Sequence, residues 1–303
     1  DIFPMSVYFC GGSQCEKSAD NKIYVMKWFN MEKTVHDDEM PSDNSEDDEE
    51  DIVNKMNAKI KEPIIRYESI PHRGSVNRIR SLHGSSIVAT WSDENEVGIY
   101  NISSAISQLD LPVEDDETIP STSTKKKKKA KAKKSHGGCK IAGFKHKSEG
   151  YALEWSPNTF GRLASGSCDS HLWVYAAADQ NCSSFIKETQ VGLQSHKGSI
   201  EDIQWSPSQE HVLATCSVDQ TIKLWDLRAT QQKCQVTWKA HDCDVNVMSW
   251  NQHTKFLLAS GDDKGEFKIW DLRMIGSGSD AKKMQEIDPI TRIRWHTQAI
   301  TSI

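Results

Sequence analysis

No stretch of the sequence approaches the run of about eighteen apolar residues that a membrane-crossing helix needs. The N-terminal DIFPMSVYF has neither the basic flank nor the cleavage pattern of a secretory leader. These absences point to an intracellular chain with no membrane partner. None of the 8 cysteines forms a CxxC pair or a zinc-ligand spacing, so no metal is expected. They read as reduced thiols, Cys168 and Cys216 lying within apolar, strand-like runs. Catalytic signatures are missing too: there is no HExxH and no GxSxG. GGSQCEKS, residues 11 to 18, comes near a phosphate-binding loop, but Glu16 stands where the second glycine must be, and its charge repels phosphate. Neither an enzyme nor a cofactor is expected.

Two segments each lack charge of one sign. From Asp37 to Asp51 there are ten acids and no Lys or Arg, and no aromatic residue occurs between Phe29 and Tyr67. With so little to bury, that segment is expected to stay solvated. The second, KKKKKAKAKK from Lys125 to Lys134, has no aromatic neighbour on which a base could stack. Recognition of single-stranded or sequence-specific nucleic acid is therefore poorly supported. The net charge of -6 averages over both segments and conceals them.

What the sequence does contain is a repeat. HKSEGYALEWSP, HKGSIEDIQWSP and HDCDVNVMSWN begin at His146, His196 and His241. Trp155, Trp205 and Trp250 each follow nine residues later, and Tyr175, Trp225 and Trp270 follow twenty-nine residues after the histidine. Runs such as TIKLWDL and EFKIWDL alternate with the period of half-buried strands, and turn residues separate them. Several short strands per repeat of this length are the pattern of a propeller blade. A weaker copy runs from His72 to Tyr100 with Ser81 in place of the first Trp; residues 3 to 28 supply two more strands, and His296 opens a last copy.

The segments resemble WD repeats. Trp225–Asp226 and Trp270–Asp271 match the terminal pair, and His146 with Asp169, His196 with Asp219 and His241 with Asp263 match the histidine and the turn aspartate. A buried carboxylate needs such hydrogen-bond partners, so these residues read as structural. The expected fold is an all-β WD40 β-propeller, seven-bladed when complete and here truncated at both ends. The expected division is a partial first blade at 1–30, an acidic linker at 31–62, a second blade at 63–106, a lysine-rich loop at 107–140, and the third to fifth blades with the start of the sixth at 141–303.

The order FPMSVYFCGGSQ, an acidic run, PHRGSVNRIR, ATWSDENEVGIYNI, EGYALEWSPNTFGRLASG, TCSVDQTIKLWDLR and SGDDKGEFKIWDLR resembles the glutamate-rich WD-repeat protein family, itself related to the retinoblastoma-binding WD proteins that chaperone histones. The resemblance implies a nuclear and nucleolar protein that binds core histones and escorts a basic large-subunit ribosomal protein. The acidic residues Asp43, Glu46, Asp47, Asp48, Glu49, Glu50 and Asp51 are the candidates for holding such partners, since close-spaced carboxylates attract strongly basic ligands.

Lys125, Lys126, Lys127, Lys128, Lys129, Lys131, Lys133 and Lys134 are candidates for a nuclear import signal, for weak phosphate contact, or for a plain solvated loop that could fold back on the acids. Two WDLR elements, with Trp225, Asp226 and Arg228 and with Trp270, Asp271 and Arg273, resemble the motif by which WD proteins dock on the adaptor of cullin-4 ubiquitin ligases. The alternatives are thus a histone-binding assembly chaperone, a ligase substrate receptor, or a scaffold whose charged loops are inert.

Overall fold

In the computed structural model the described residues are 5–31, 63–111, 139–191, 196–228, 234–275 and 287–303. They form five antiparallel sheets, one after another along the chain. The first holds β1 (Met5–Gly12), β2 (Lys22–Met31) and β3 (Ile64–Pro71). The second holds β4 (Val76–Ser81), β5 (Ile87–Ser92), β6 (Glu96–Asn101) and β7 (Cys139–Lys145). The third is built from β8 (Ala152–Trp155), β9 (Arg162–Gly166), β10 (Leu172–Ala177) and β11 (Phe185–Val191). The fourth contains β12 (Ile200–Trp205), β13 (Val212–Ser217), β14 (Thr221–Asp226) and β15 (Cys234–Lys239), and the fifth β16 (Val245–Trp250), β17 (Leu257–Asp262), β18 (Glu266–Asp271) and β19 (Thr291–Arg294). The leading strands β4, β8, β12 and β16 contact one another in turn, so the sheets are successive blades of a propeller.

Each core lies between two blades. Ile23, Val25 and Ile70 of the first meet Val88 and Tyr100 of the second. Trp91, Val97 and Ile99 meet Leu153, Leu163 and Tyr175; Ala164 and Val174 meet Ile203 and Trp225; Cys216 and Trp238 meet Met248 and Trp270. The tryptophans nine residues after the histidines bind blades together as well as filling space. Trp155 Nε1 donates to Arg80 O and Trp205 Nε1 to Glu154 O, both at 3.0 Å and both on the preceding blade. Trp250 instead donates within its own blade, to Lys255 O at 2.8 Å. Asp202, 2% exposed, crosses the next boundary by accepting from Met248 N at 3.0 Å.

The blade boundaries differ from the expected division of the chain. β3 closes the first sheet and β7 the second, although both were assigned to the blade that follows. The expected division cut the chain at the charged segments, whereas His72, His146, His196 and His241 each follow the last strand of a sheet, so the spans between them coincide with the sheets. Consequently the segments 32–62 and 112–138 each lie in the connection between the last two strands of a blade, not between blades. Cys168 also differs: it lies in the turn after β9, whereas Cys216 is buried within β13. Residues 13 to 21 form the β1–β2 connection, held by Asn21, whose Oδ1 accepts from Cys15 N at 2.7 Å. The phosphate-loop likeness of this stretch therefore has no helix behind it, only a 3-10 turn at Ser18–Asp20.

Among the described residues no helix is long and apolar enough to cross a membrane. The one α-helix described, α1 (Ser103–Leu109), follows β6 and packs on β2 and β3.

Candidate functional site

Strand direction alternates within each blade, so its connections open at two opposite ends. One end carries the histidine loops and the turns between second and third strands. The other carries the connections between the last two strands of each blade, where the charged segments are inserted.

At the histidine end, the fourth blade places His196 Nδ1 3.0 Å from Asp219 Oδ2 and His196 Nε2 2.7 Å from Thr215 Oγ1. Trp225 Nε1 donates to the same Thr215 hydroxyl at 2.9 Å. Burial holds the His196 ring below its usual pKa, outweighing the pull of Asp219. Burial alone would raise the Asp219 carboxyl, but hydrogen bonds from His196, Thr221 and the Lys197 amide hold it well below the carboxylate range. The arrangement is a buried, fully bonded chain from carboxylate to indole, with nothing free to react.

In the fifth blade the partner of His241 is Asp262, not Asp263 as the motif match suggested: Nδ1 lies 3.0 Å from Asp262 Oδ2. The turn explains the change. Gln220 and Gly265 are the matching positive-φ residues, at 70° and 82°, which aligns Lys264 with Asp219. The carboxylate is supplied instead from the end of β17, where Asp262 also accepts from Lys264 N at 3.0 Å and Glu266 N at 2.7 Å. Asp263 faces Asn246 Nδ2 at 3.4 Å. His241, Asp262 and Glu266 lie close enough to form a metal ligand set. However, Lys268 Nζ sits 2.9 Å and Arg294 Nε 2.8 Å from the Glu266 oxygens, so the cation such a set would take is already provided by side chains.

The third blade does not pair His146 with Asp169. His146 Nε2 lies 2.7 Å from the Tyr175 hydroxyl, and Asp169 turns to His171 Nδ1 at 3.1 Å and to Ser167. The phenol reaches where an indole cannot, and the His171 ring competes for the carboxylate.

At the opposite end, Asp43 to Asp51 and Lys125 to Lys134 lie outside the described residues. Their anchors do not. Arg66, near the start of β3, donates through Nη1 to Leu111 O at 2.9 Å, and Lys27 Nζ lies 2.5 Å from Asp110 Oδ1. The point where the acidic segment rejoins the sheet thus touches the point where the lysine segment departs. No sequence signal announced this, because α1 has no repeat counterpart.

The WDLR elements fall at this end also. Arg228 donates to Asp226 through Nε at 2.9 Å and Nη2 at 2.7 Å. Arg273 does the same to Asp271, through Nε at 3.0 Å and Nη2 at 2.6 Å, and lies 3.7 Å over the Phe256 ring. Both guanidinium forks, which would have to receive a partner's carboxylate or carbonyl, are closed on a neighbouring aspartate. Trp225 and Trp270 are 1% and 0% exposed and offer a partner no surface.

The WD domain, G-beta repeat pattern matches residues 187–226 and 232–271. The chain is 39% identical over 229 residues to glutamate-rich WD repeat-containing protein 1 of Dictyostelium discoideum, covering 75% of this chain and 43% of that protein. It is 32% identical over 247 residues to ribosome assembly protein rrb1 of Schizosaccharomyces pombe, 78% of this chain and 44% of the other. With histone acetyltransferase type B subunit 2 of Candida glabrata it shares 28% over 189 residues, 61% and 36%. The chain spans a little under half the length of the first two of these relatives. Over the part of their length that it spans, this WD-repeat scaffold belongs to the glutamate-rich WD-repeat protein family.

Proposed function

We propose that the chain is a rigid platform for the assembly of basic proteins: that it binds core histones and escorts a basic large-subunit ribosomal protein in the nucleus and nucleolus. The observation that carries this reading is the acidic segment, seven acids in the nine positions from Asp43 to Asp51, inserted between two strands of one blade. A ligand rich in Lys and Arg meets many carboxylates at once there, and its charge is masked from nucleic acid. The names of two relatives support the same direction, one a ribosome assembly protein and one a histone acetyltransferase subunit. The lysine segment, anchored beside the acidic one, serves as an import signal and as an internal competitor that weak ligands fail to displace. Docking on a ligase adaptor has less support, because both WDLR arginines are engaged by their own aspartates.

Exposed charge contacts are worth about 0.2–1 kcal/mol each and weaken with salt. Replacing the acids from Asp43 to Asp51 by Asn or Gln is therefore expected to weaken binding of histone dimers and tetramers at least about tenfold at low salt and to flatten the salt dependence. Unchanged affinity and unchanged slope would make the segment a spacer.

A further inference from the structure

The third blade leaves a hydrogen-bonding atom over, and the atom lies beside a basic cavity. In the second blade His72 uses both ring nitrogens, on Gly74 O at 2.9 Å and Thr90 Oγ1 at 3.0 Å. His196 and His241 do likewise, each with a carboxylate and a hydroxyl. His146 is bonded only at Nε2; its Nδ1 is buried without a partner. The Tyr175 hydroxyl stands between His146 and Ser165 Oγ, 3.0 Å away on its other side. With the phenol donating to Nε2, the proton of this neutral ring sits on Nδ1 and calls for an acceptor.

The residues around it differ from those of the neighbouring blades. Where the fourth and fifth have Lys223 and Lys268 tucked against the sheet, the third has Trp173, and the lysine comes from the adjacent strand β11. Lys187 Nζ lies 2.8 Å from the centre of the Trp173 ring. A cavity of about 420 Å³ opens here, lined by Lys145, Lys147, Lys187, His171, Trp173 and Asp169 together with His146. That size falls within the roughly 300–1,000 Å³ of small-ligand sites. Three lysines face one carboxylate, and the carboxylate is taken up by His171 and Ser167. Lys145 is partly engaged, by Glu94 O at 3.1 Å and Glu96 Oε2 at 3.8 Å. Neither Lys147 nor Lys187 makes an ion pair among the described residues.

We infer that this cavity is a docking site for an anionic side chain of a partner protein, a phosphoryl group or a cluster of carboxylates, held by Lys147 and Lys187 with Lys145 in support. Lysines act as point charges toward such oxyanions. The site has the opposite polarity to the acidic segment and lies at the opposite end of the blades, so it selects a second partner class independently of the first. Binding draws Lys187 away from the Trp173 face toward the ligand.

The test is fluorescence anisotropy of the purified protein with three labelled peptides of one sequence, carrying serines, phosphoserines or glutamates at the same positions. The variants are Lys147→Ala with Lys187→Ala and, as a control, Lys239→Ala with Arg292→Ala, which remove two cations from the corresponding cavity of the fifth blade. The expected result is binding of an anionic peptide but not the serine peptide, weakened at least tenfold in the first variant and less than twofold in the control. The preferred anionic peptide identifies which group is taken. Equal losses in both variants would reduce the effect to general surface charge, and either no binding by the wild type or no loss in the first variant would overturn the assignment.

Discussion

The two ends of the blades are built on opposite terms. At the histidine end of the fourth and fifth blades, charge is buried and answered: Asp219, Asp262 and Glu266 each have their partners within hydrogen-bond distance, and His196 and His241 are buried beneath their loops. At the other end the WDLR arginines are exposed and self-paired, and the acidic and lysine-rich sequences are inserted between strands. Buried polar networks lose much when one member is removed, whereas exposed ion pairs contribute little to stability. One end therefore specifies the shape, and the other can vary its chemistry without disturbing it.

Acid should act on the first end most strongly. Burial lowers the pKa of His72, His146, His196 and His241, that of His146 to about 4. A histidine depressed in the folded state binds more protons unfolded, so stability is complete above the unfolded pKa near 6.5 and falls as pH drops toward the folded value, by at most roughly 1.4 kcal/mol per pH unit for a ring. Thermal melts at pH 7 and pH 5 should differ by many degrees, and coincident melts would contradict neutral, buried rings. A single cut into the network comes next. Asp219→Ala strands His196 and the Lys197 amide and should cost about 2–4 kcal/mol in urea unfolding. Asp169→Ala in the third blade, where the carboxylate does not serve His146, should cost less than about 1 kcal/mol. Similar losses would erase the distinction between these blades. The smallest effect belongs to the other end: Arg228→Ala, whose partner is the adjacent Asp226, should leave the melting temperature within about one or two degrees.

Much of this was legible because a repeat carries its own register. The nine- and twenty-nine-residue spacings from His196 and His241 identified blade strands and the aromatic that closes each network. The choice between Asp262 and Asp263 was not legible, since the spacing from His196 to Asp219 lands on Lys264 in the fifth blade, beside two adjacent aspartates, and only the folded turn shows that Asp262 bonds His241. Nor did Tyr175 disclose its effect: as a letter it substitutes for Trp, but its hydroxyl reaches His146 and frees Asp169 for His171. The basic cavity follows from that substitution and from Lys187, which is remote from His146 in the repeat and reaches it only across paired strands.

By itself the sequence determined the all-β repeat, the family and the positions of two oppositely charged insertions, because periodicity, spacing and charge runs are local properties of a chain. Tertiary structure decided which strand completes which blade, which carboxylate meets which histidine, and that Arg66 after the acidic segment meets Leu111 before the lysine segment. Those outcomes depend on hydrogen-bond reach and on packing between strands distant in sequence, and no local pattern encodes a distance across a sheet.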